Sequence, residues 1–243
     1  MAYTTNTKGG VRVINKTRSF EVININRDGM QVRLVLRNAS EKTITAFRIV
    51  TPTSLGESGM KEDRIEESQM IAPGSSYELS IALSDIKSDP SKADDQDIII
   101  LAVLFEDRTS DGDTETAAEM EAERLGEKIQ MGRILSLIQN TLKLPDDDLP
   151  SAMKGLRMQA AALSLDVEAS RGLEMLSPHY GTILARSKEK LADRIARGLY
   201  FVREGFLVRM REVEREISNQ SSGNLREQLT RFQKEYERIF ATL

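Results

Sequence analysis

The hydrophobic period of this chain changes once, near Gly112, and that change restricts what it can fold into. Ahead of Gly112 apolar residues alternate with polar ones, the pattern of half-buried strands. Ser19 to Asn26 (SFEVININ) puts Phe20 and Val22, with Asn24 as a third position, on one face and Ile23 and Ile25 on the other. Arg27-Asp28-Gly29 is a hairpin signal. Gln31 to Arg37 then alternates with Val32, Leu34 and Leu36 inward. Thr43 to Val50 offers Ile44, Ala46 or Phe47, and Ile49 for burial. Pro73-Gly74 turns the chain ahead of Tyr77 to Leu83, and Asp85 to Asp97 reads as a polar, acidic loop. Ile98 to Phe105 is apolar throughout and reads as a strand covered on both faces. Short strands divided by turn signals indicate a β-sandwich.

After Gly112 the steps become three and four. Ala118, Ala122, Leu125, Ile129, Leu135, Ile138 and Leu142 mark an amphipathic helix over 114–143. Asp148 as N-cap and Pro150 in the first turn open a second helix, 149–176, which Pro178 ends. A third spans 182–218 with the stripe Leu191, Ile195, Leu199, Val202, Phe206, Met210, Val213 and Ile217, and would reach roughly 55 Å. Asn219 to Gly223 breaks it ahead of a fourth, 224–241. The expected organisation is a flexible leader over 1–10, a β-sandwich over 11–108 and a helical domain over 109–243. Helices of this length pair as an antiparallel bundle or a coiled-coil-like stalk.

Composition removes several chemistries. There is no Cys, which rules out disulfides, thiolate metal sites and cysteine nucleophiles. There is no Trp and only 5% aromatic residues, so the cores are aliphatic. No window is apolar enough to span a bilayer, and the polar start (MAYTTNTKGG) lacks the apolar region of a signal peptide. Net charge is only −4, but it is unevenly spread. Glu106 to Glu127 holds nine acids and two Arg, and Arg186 to Arg211 holds eight Lys/Arg and three acids. These blocks either attract each other or a partner, or form solvated helix faces.

Candidate sites are few. Asp107-Arg-Thr-Ser-Asp-Gly-Asp113 offers oxygens at Asp107, Thr109, Asp111 and Asp113, in the manner of a calcium loop. The closing bidentate Glu is missing, since its position is Ala118, so the run reads as a solvated turn feeding a helix and no metal is expected. His179, the only histidine, lies in a Ser177–Gly181 joint and supports neither a His-rich metal site nor a hydrolytic triad. No P-loop, G-x-S-x-G, H-E-x-x-H or G-x-G-x-x-G occurs. Asn15-Lys-Thr17, Asn38-Ala-Ser40 and Asn219-Gln-Ser221 match the glycosylation pattern by chance. Arg194 to Arg211 mixes Arg with Tyr200, Phe201 and Phe206, as a basic membrane-surface helix would, but Glu204 interrupts it and the stretch reads as bundle core. Its broad apolar face makes Tyr200, Phe201, Phe206 and Leu207 the candidates for self-association, most simply as a two-fold homodimer.

Val32–Arg37, Asn38-Ala39-Ser40, Lys42-Thr43-Ile44 and Ile71-Ala72-Pro73-Gly74 ahead of a strand resemble bacterial immunoglobulin-like domains of envelope and surface proteins. Val103-Leu104-Phe105-Glu106-Asp107, followed by an acidic Gly-containing loop and a helix, is similar to uncharacterised bacterial proteins with such a domain at the N-terminus. The resemblance covers roughly the first 100 residues. It implies an immunoglobulin-like sandwich and an extracytoplasmic home, and it carries no functional residue. Without it, the missing signal peptide points to the cytoplasm. The function expected from the sequence is that of a non-catalytic interaction or structural protein, with a protein partner or itself, no cofactor and no nucleic acid. Peripheral membrane contact stays open. The alternative is a ligand-binding or enzymatic module with a site near Asp107–Asp113, at the sandwich–helix junction.

Overall fold

The computed structural model describes residues 4–8, 11–29, 31–52, 58–64, 70–82, 96–168, 171–219 and 225–242. The chain is β then α and divides into two units, Met1–Ala117 and Ala118–Leu243. Most of the acidic loop 85–97 and the break at 220–223 lie outside the described residues.

The first unit holds β1 (Thr4–Lys8), β2 (Val11–Asn15), β3 (Phe20–Asp28), β4 (Gln31–Asn38), β5 (Ile44–Pro52), β6 (Ser58–Arg64), β7 (Ser76–Ala82), β8 (Gln96–Phe105) and β9 (Ser110–Gly112). One sheet has the order β1-β2-β8-β5-β6 with β9 also on β8, and the other is β3-β4-β7. Both sheets contribute to a single core. Val11, Val13, Phe47, Ile98 and Ile100 come from the first, and Phe20, Ile25, Leu34, Leu36 and Leu79 from the second. Phe47 sits edge-on between Phe20 and Tyr77, with ring centroids 5.5 and 5.6 Å away. This trio of rings supplies bulk that a chain without Trp or a disulfide must find elsewhere.

The segment expected as a flexible leader contains a strand: Thr4–Lys8 pairs antiparallel with β2. Its three β-branched threonines suit an edge strand, which needs no apolar alternation. A second correction concerns β3. Its pairing with β4 shifts register between Val22 and Asn24, so Ile23 is the bulged residue. The bulge resets the alternation, turning Phe20 and Ile25 into the core and Ile23 outward. A similar shift, with Thr45 as the extra residue of β5, explains why its core residues Ile44, Phe47 and Ile49 are unevenly spaced, while a second shift leaves the extra residue, Leu101, on β8.

The second unit takes nearly all of α1 (Thr114–Leu142), then α2 (Leu149–Ala161), α3 (Gly172–Asn219) and α4 (Leu225–Thr242), with a 3₁₀ turn at Asp146–Asp148. Asp113 caps α1, its Oδ1 accepting from the Thr116 N–H at 2.8 Å. Pro150 lies in the first turn of α2. The expected second helix does not continue to 176: α2 stops at Ala161, residues 163–166 are irregular, and α3 begins at Gly172. Pro178 falls within the α3 span, and the helical segment that holds it meets the next one at a kink two residues later, close to the break expected there. The backbone absorbs it by leaving helical values at Tyr180 (φ −127°, ψ 25°), and does so again at Ser187 (φ −130°, ψ 34°).

All four helices feed one core, including Ile134 and Ile138 (α1), Met153 and Leu156 (α2), Phe206 and Met210 (α3), and Leu229 and Phe232 (α4). Interhelix pairs give the directions. On α1 and α3 the numbers rise together: Glu119 holds Lys190, and Glu123 holds Arg197. Between α3 and α4 they run oppositely, with Arg209 on Glu235 and Phe206 on Tyr236. The same holds for α2 against α3, where Arg157 bonds Glu214 and Arg203 bonds the Leu163 carbonyl beyond the end of α2. Consecutive helices thus alternate in direction.

Candidate functional site

The turn after β8 spends its oxygens on protein donors. Asp107 Oδ1 accepts from the Thr109 N–H (3.0 Å) and Oγ1 (2.5 Å), and Oδ2 pairs with Lys42 Nζ at 2.7 Å. Those hydrogen bonds from Lys42 and Thr109 hold the Asp107 carboxyl down at about 2. Asp111 Oδ2 accepts from the backbone N–H of Arg18 and Ser19 and from the Ser19 hydroxyl, at 2.6, 2.9 and 2.6 Å. Asp113 is the α1 cap. Lys42 thus serves Asp107 and Thr109 together while Asp111 and Asp113 have separate donors, and among the described residues no group of three or more His, Asp or Glu is placed to hold a metal ion. Gly112 closes this stretch at φ +99°, where a Cβ would lie 2.3 Å from the Leu101 carbonyl oxygen.

The two glycosylation-type motifs of the first unit have a structural reason. Asn15 Oδ1 accepts from the Thr17 N–H and Oγ1 at 3.0 and 2.8 Å, and its amide donates to the Phe20 carbonyl at 2.6 Å. Asn38 repeats the device with Ser40 and donates to the carbonyls of Lys42 (2.7 Å) and Ile71 (2.8 Å). Both asparagines are buried, so the N-x-S/T spacing is that of an Asx turn. Ser221 of the third motif lies outside the described residues.

His179, expected in a joint, lies beside the kink at Tyr180 in α3 and is exposed. The structure brings together a cluster that the sequence did not assign. Glu119 and Glu123, both buried on α1, receive Lys190, Arg194 and Arg197 of α3. Lys190 lies 2.6 Å from Glu119, Arg194 lies 2.7 Å from Glu119 and 3.6 Å from Glu123, and Arg197 lies 3.3 Å from Glu123. Burial acts to raise the Glu119 pKa, but the hydrogen bonds from Lys190 and Arg194 outweigh it and hold the carboxyl below its ordinary value. Beside this cluster the backbones touch. A Cβ on Gly126 would sit 2.1 Å from the Ile195 carbonyl oxygen, and one on Gly198 would sit 2.1 Å from that of Glu123. The signal was available: the opposite-sign blocks attract each other within the chain, and each helix has a glycine inside its periodic stretch.

The self-association candidates separate. Phe206 and Leu207 are core residues, which corrects the open position expected of Leu207. Tyr200 and Phe201 remain 46% and 43% exposed, as does Val208 at 49%. The two rings meet edge to face at 5.9 Å, with the Arg197 guanidinium 5.1 Å from Phe201 and that of Arg203 5.9 Å from Tyr200. Between α3 and α4 lies an open groove of about 310 Å³ lined by Arg209, Glu212, Val213, Arg231, Phe232 and Glu235. The Arg209–Glu235 pair, 2.5 Å apart, crosses it. Next to it, burial pushes the Tyr236 phenol up to about 12. Among the described residues no helix is long and apolar enough to cross a membrane. In comparisons with known proteins, no family model, no curated protein and no solved structure matches this chain.

Proposed function

We propose that this chain is a non-catalytic interaction or structural protein, built of an immunoglobulin-like sandwich and a bundle of long helices, whose contact surface is the exposed ridge of α3. The observation that carries the reading is the contrast between its charged and apolar groups. The clustered charges are engaged in pairs that hold strands and helices together, while Tyr200, Phe201 and Val208 stand open on one helix. Aromatic rings flanked by arginine are the side chains that anchor protein interfaces.

Strand order supports the immunoglobulin-like part. The sheet β3-β4-β7 follows the A-B-E order of such domains and β5-β8-β9 the C-F-G order, with β2 lying parallel on the half of β8 that short β9 leaves open. The resemblance of the first unit to envelope proteins favours an extracytoplasmic setting.

The test uses an environment-sensitive apolar dye on the dilute full chain and on Tyr200→Ser/Phe201→Ser/Val208→Ser. The unmodified chain should bind the dye, and the variant should lose most of that binding while its helical circular dichroism and thermal unfolding stay unchanged. Equal dye binding, or a variant that unfolds, would refute the ridge as a contact surface.

A further inference from the structure

We infer that the partner of the α3 ridge is a second copy of this chain, its α3 antiparallel to the first about a two-fold axis passing between Glu204 and Gly205. The inference rests on the reading of that ridge as a contact surface and adds what occupies it. Asp193, Arg197, Phe201, Val208, Glu212 and Arg215 are all exposed. At a helical step of about 100° per residue they fall within an arc of about 100°, so they form one stripe. Read along the helix these six run acid, base, apolar, apolar, acid, base, and exposed Arg211 lies at the edge of the same arc.

That order is complementary to its own reverse. Laid antiparallel on a copy of itself, Arg197 meets Glu212 and Phe201 meets Val208, and Asp193 comes within one residue of Arg215, each match made twice by the two-fold symmetry. Laid parallel, every charge meets its own kind, which is unfavourable. Asp193 and Arg215 make no side-chain hydrogen bond or ion pair with other described residues, and exposed Glu212 acts on Arg209 only through its charge, so all three can meet a partner. Arg197 already holds Glu123, yet half of its side chain is exposed. Glu204 is neutralised by Arg203 at 3.0 Å and lies opposite the partner's glycine. Gly205 has open space where a Cβ would stand, so the axis falls where two helices can approach most closely.

The chain has no Cys, so single engineered thiols report the geometry directly. In the full chain under mild oxidation, Gly205→Cys should form a disulfide-linked dimer. Asp193→Cys should not, because the two copies of that position lie about 34 Å apart along the axis, far beyond disulfide reach. Asp193→Cys/Arg215→Cys should link again. In sedimentation, Asp193→Arg and Arg215→Asp should each weaken the dimer about fivefold, and the double swap should restore it. Equal linking of Gly205→Cys and Asp193→Cys, a dimer that Gly205→Cys does not trap, or swapped charges that fail to rescue would each overturn the antiparallel pairing. A monomer at every concentration that still binds the apolar dye would overturn the second copy and leave the contact-surface reading standing. A monomer that does not bind the dye would end both.

Discussion

Replacing Gly126 by Ala should destabilise the helical unit, although the same change at most helical glycines is stabilising. An exposed Gly→Ala in a helix interior gains about 1 kcal/mol. At Gly126 the new methyl would lie 2.1 Å from the Ile195 carbonyl oxygen, a backbone atom that cannot swing aside. Carbon and oxygen need at least about 3 Å, so α1 and α3 must separate by about 1 Å where they cross. That opening also stretches the Arg194–Glu119 contact of 2.7 Å. Overpacking of this size costs about 1–3 kcal/mol, and the loosened ion pairs add to it, which leaves a net loss of about 2 kcal/mol after the helix-propensity gain. Gly198→Ala, facing the Glu123 carbonyl at the same distance, should behave alike. The double variant should cost little more than either single one, because one separation relieves both clashes. Gly155→Ala meets nothing within 4 Å and serves as a control that should gain about 0.5–1 kcal/mol. Urea unfolding followed by helical circular dichroism measures all four. If Gly126→Ala proved as stabilising as Gly155→Ala, the account of the crossing would be wrong.

Arg194→Met should cost about 2–3 kcal/mol, since it leaves buried Glu119 short of one of its cationic partners, and the same urea assay with Arg194→Lys as a partial rescue checks it. Asn38→Ala should cost about 2–4 kcal/mol by stranding the Ile71 and Lys42 carbonyls, read as a drop in the thermal midpoint of the β-rich unit. The Asp107 carboxyl is lowered, so its contribution is complete above the ordinary value of 3.8 and disappears as pH falls toward about 2. Carboxyl NMR should show its midpoint near about 2 and a return toward 3.8 in Lys42→Ala, and an unmoved midpoint would remove the ion pair from the account. Solvent exposure of this pair keeps its effect on global stability small.

The order of β then α, and most strands and helix stripes, follow from residues whose side chains decide locally. Val32, Leu34 and Leu36 alternate without interruption, and Leu191 to Val213 recur at helical steps, so binary pattern alone places them. The misses share a different cause. The Ile23 bulge is a property of pairing between β3 and β4, so neither strand alone displays it. Residues 163–166 carry no strong breaker, and Pro178, which is a strong one, is absorbed by a kink. The Glu119–Arg194 cluster joins residues 75 apart in sequence; charge blocks announce that such a contact is possible but not which residues make it. The calcium-like spacing at Asp107–Asp113 shows the opposite failure. Alternating oxygens suit a turn, a strand contact and a helix cap as well as they suit a cation, and here each carboxylate has its own donors.

Sedimentation equilibrium of the unmodified full chain tests the central claim, that the open ridge of α3 is a contact surface and meets its own copy. The account predicts a species of twice the 27.3 kDa chain mass at micromolar concentration, shifted toward the single-chain mass by Phe201→Ser, which lies outside the core. A single 27.3 kDa species across the whole concentration range, unchanged by Phe201→Ser, would contradict it.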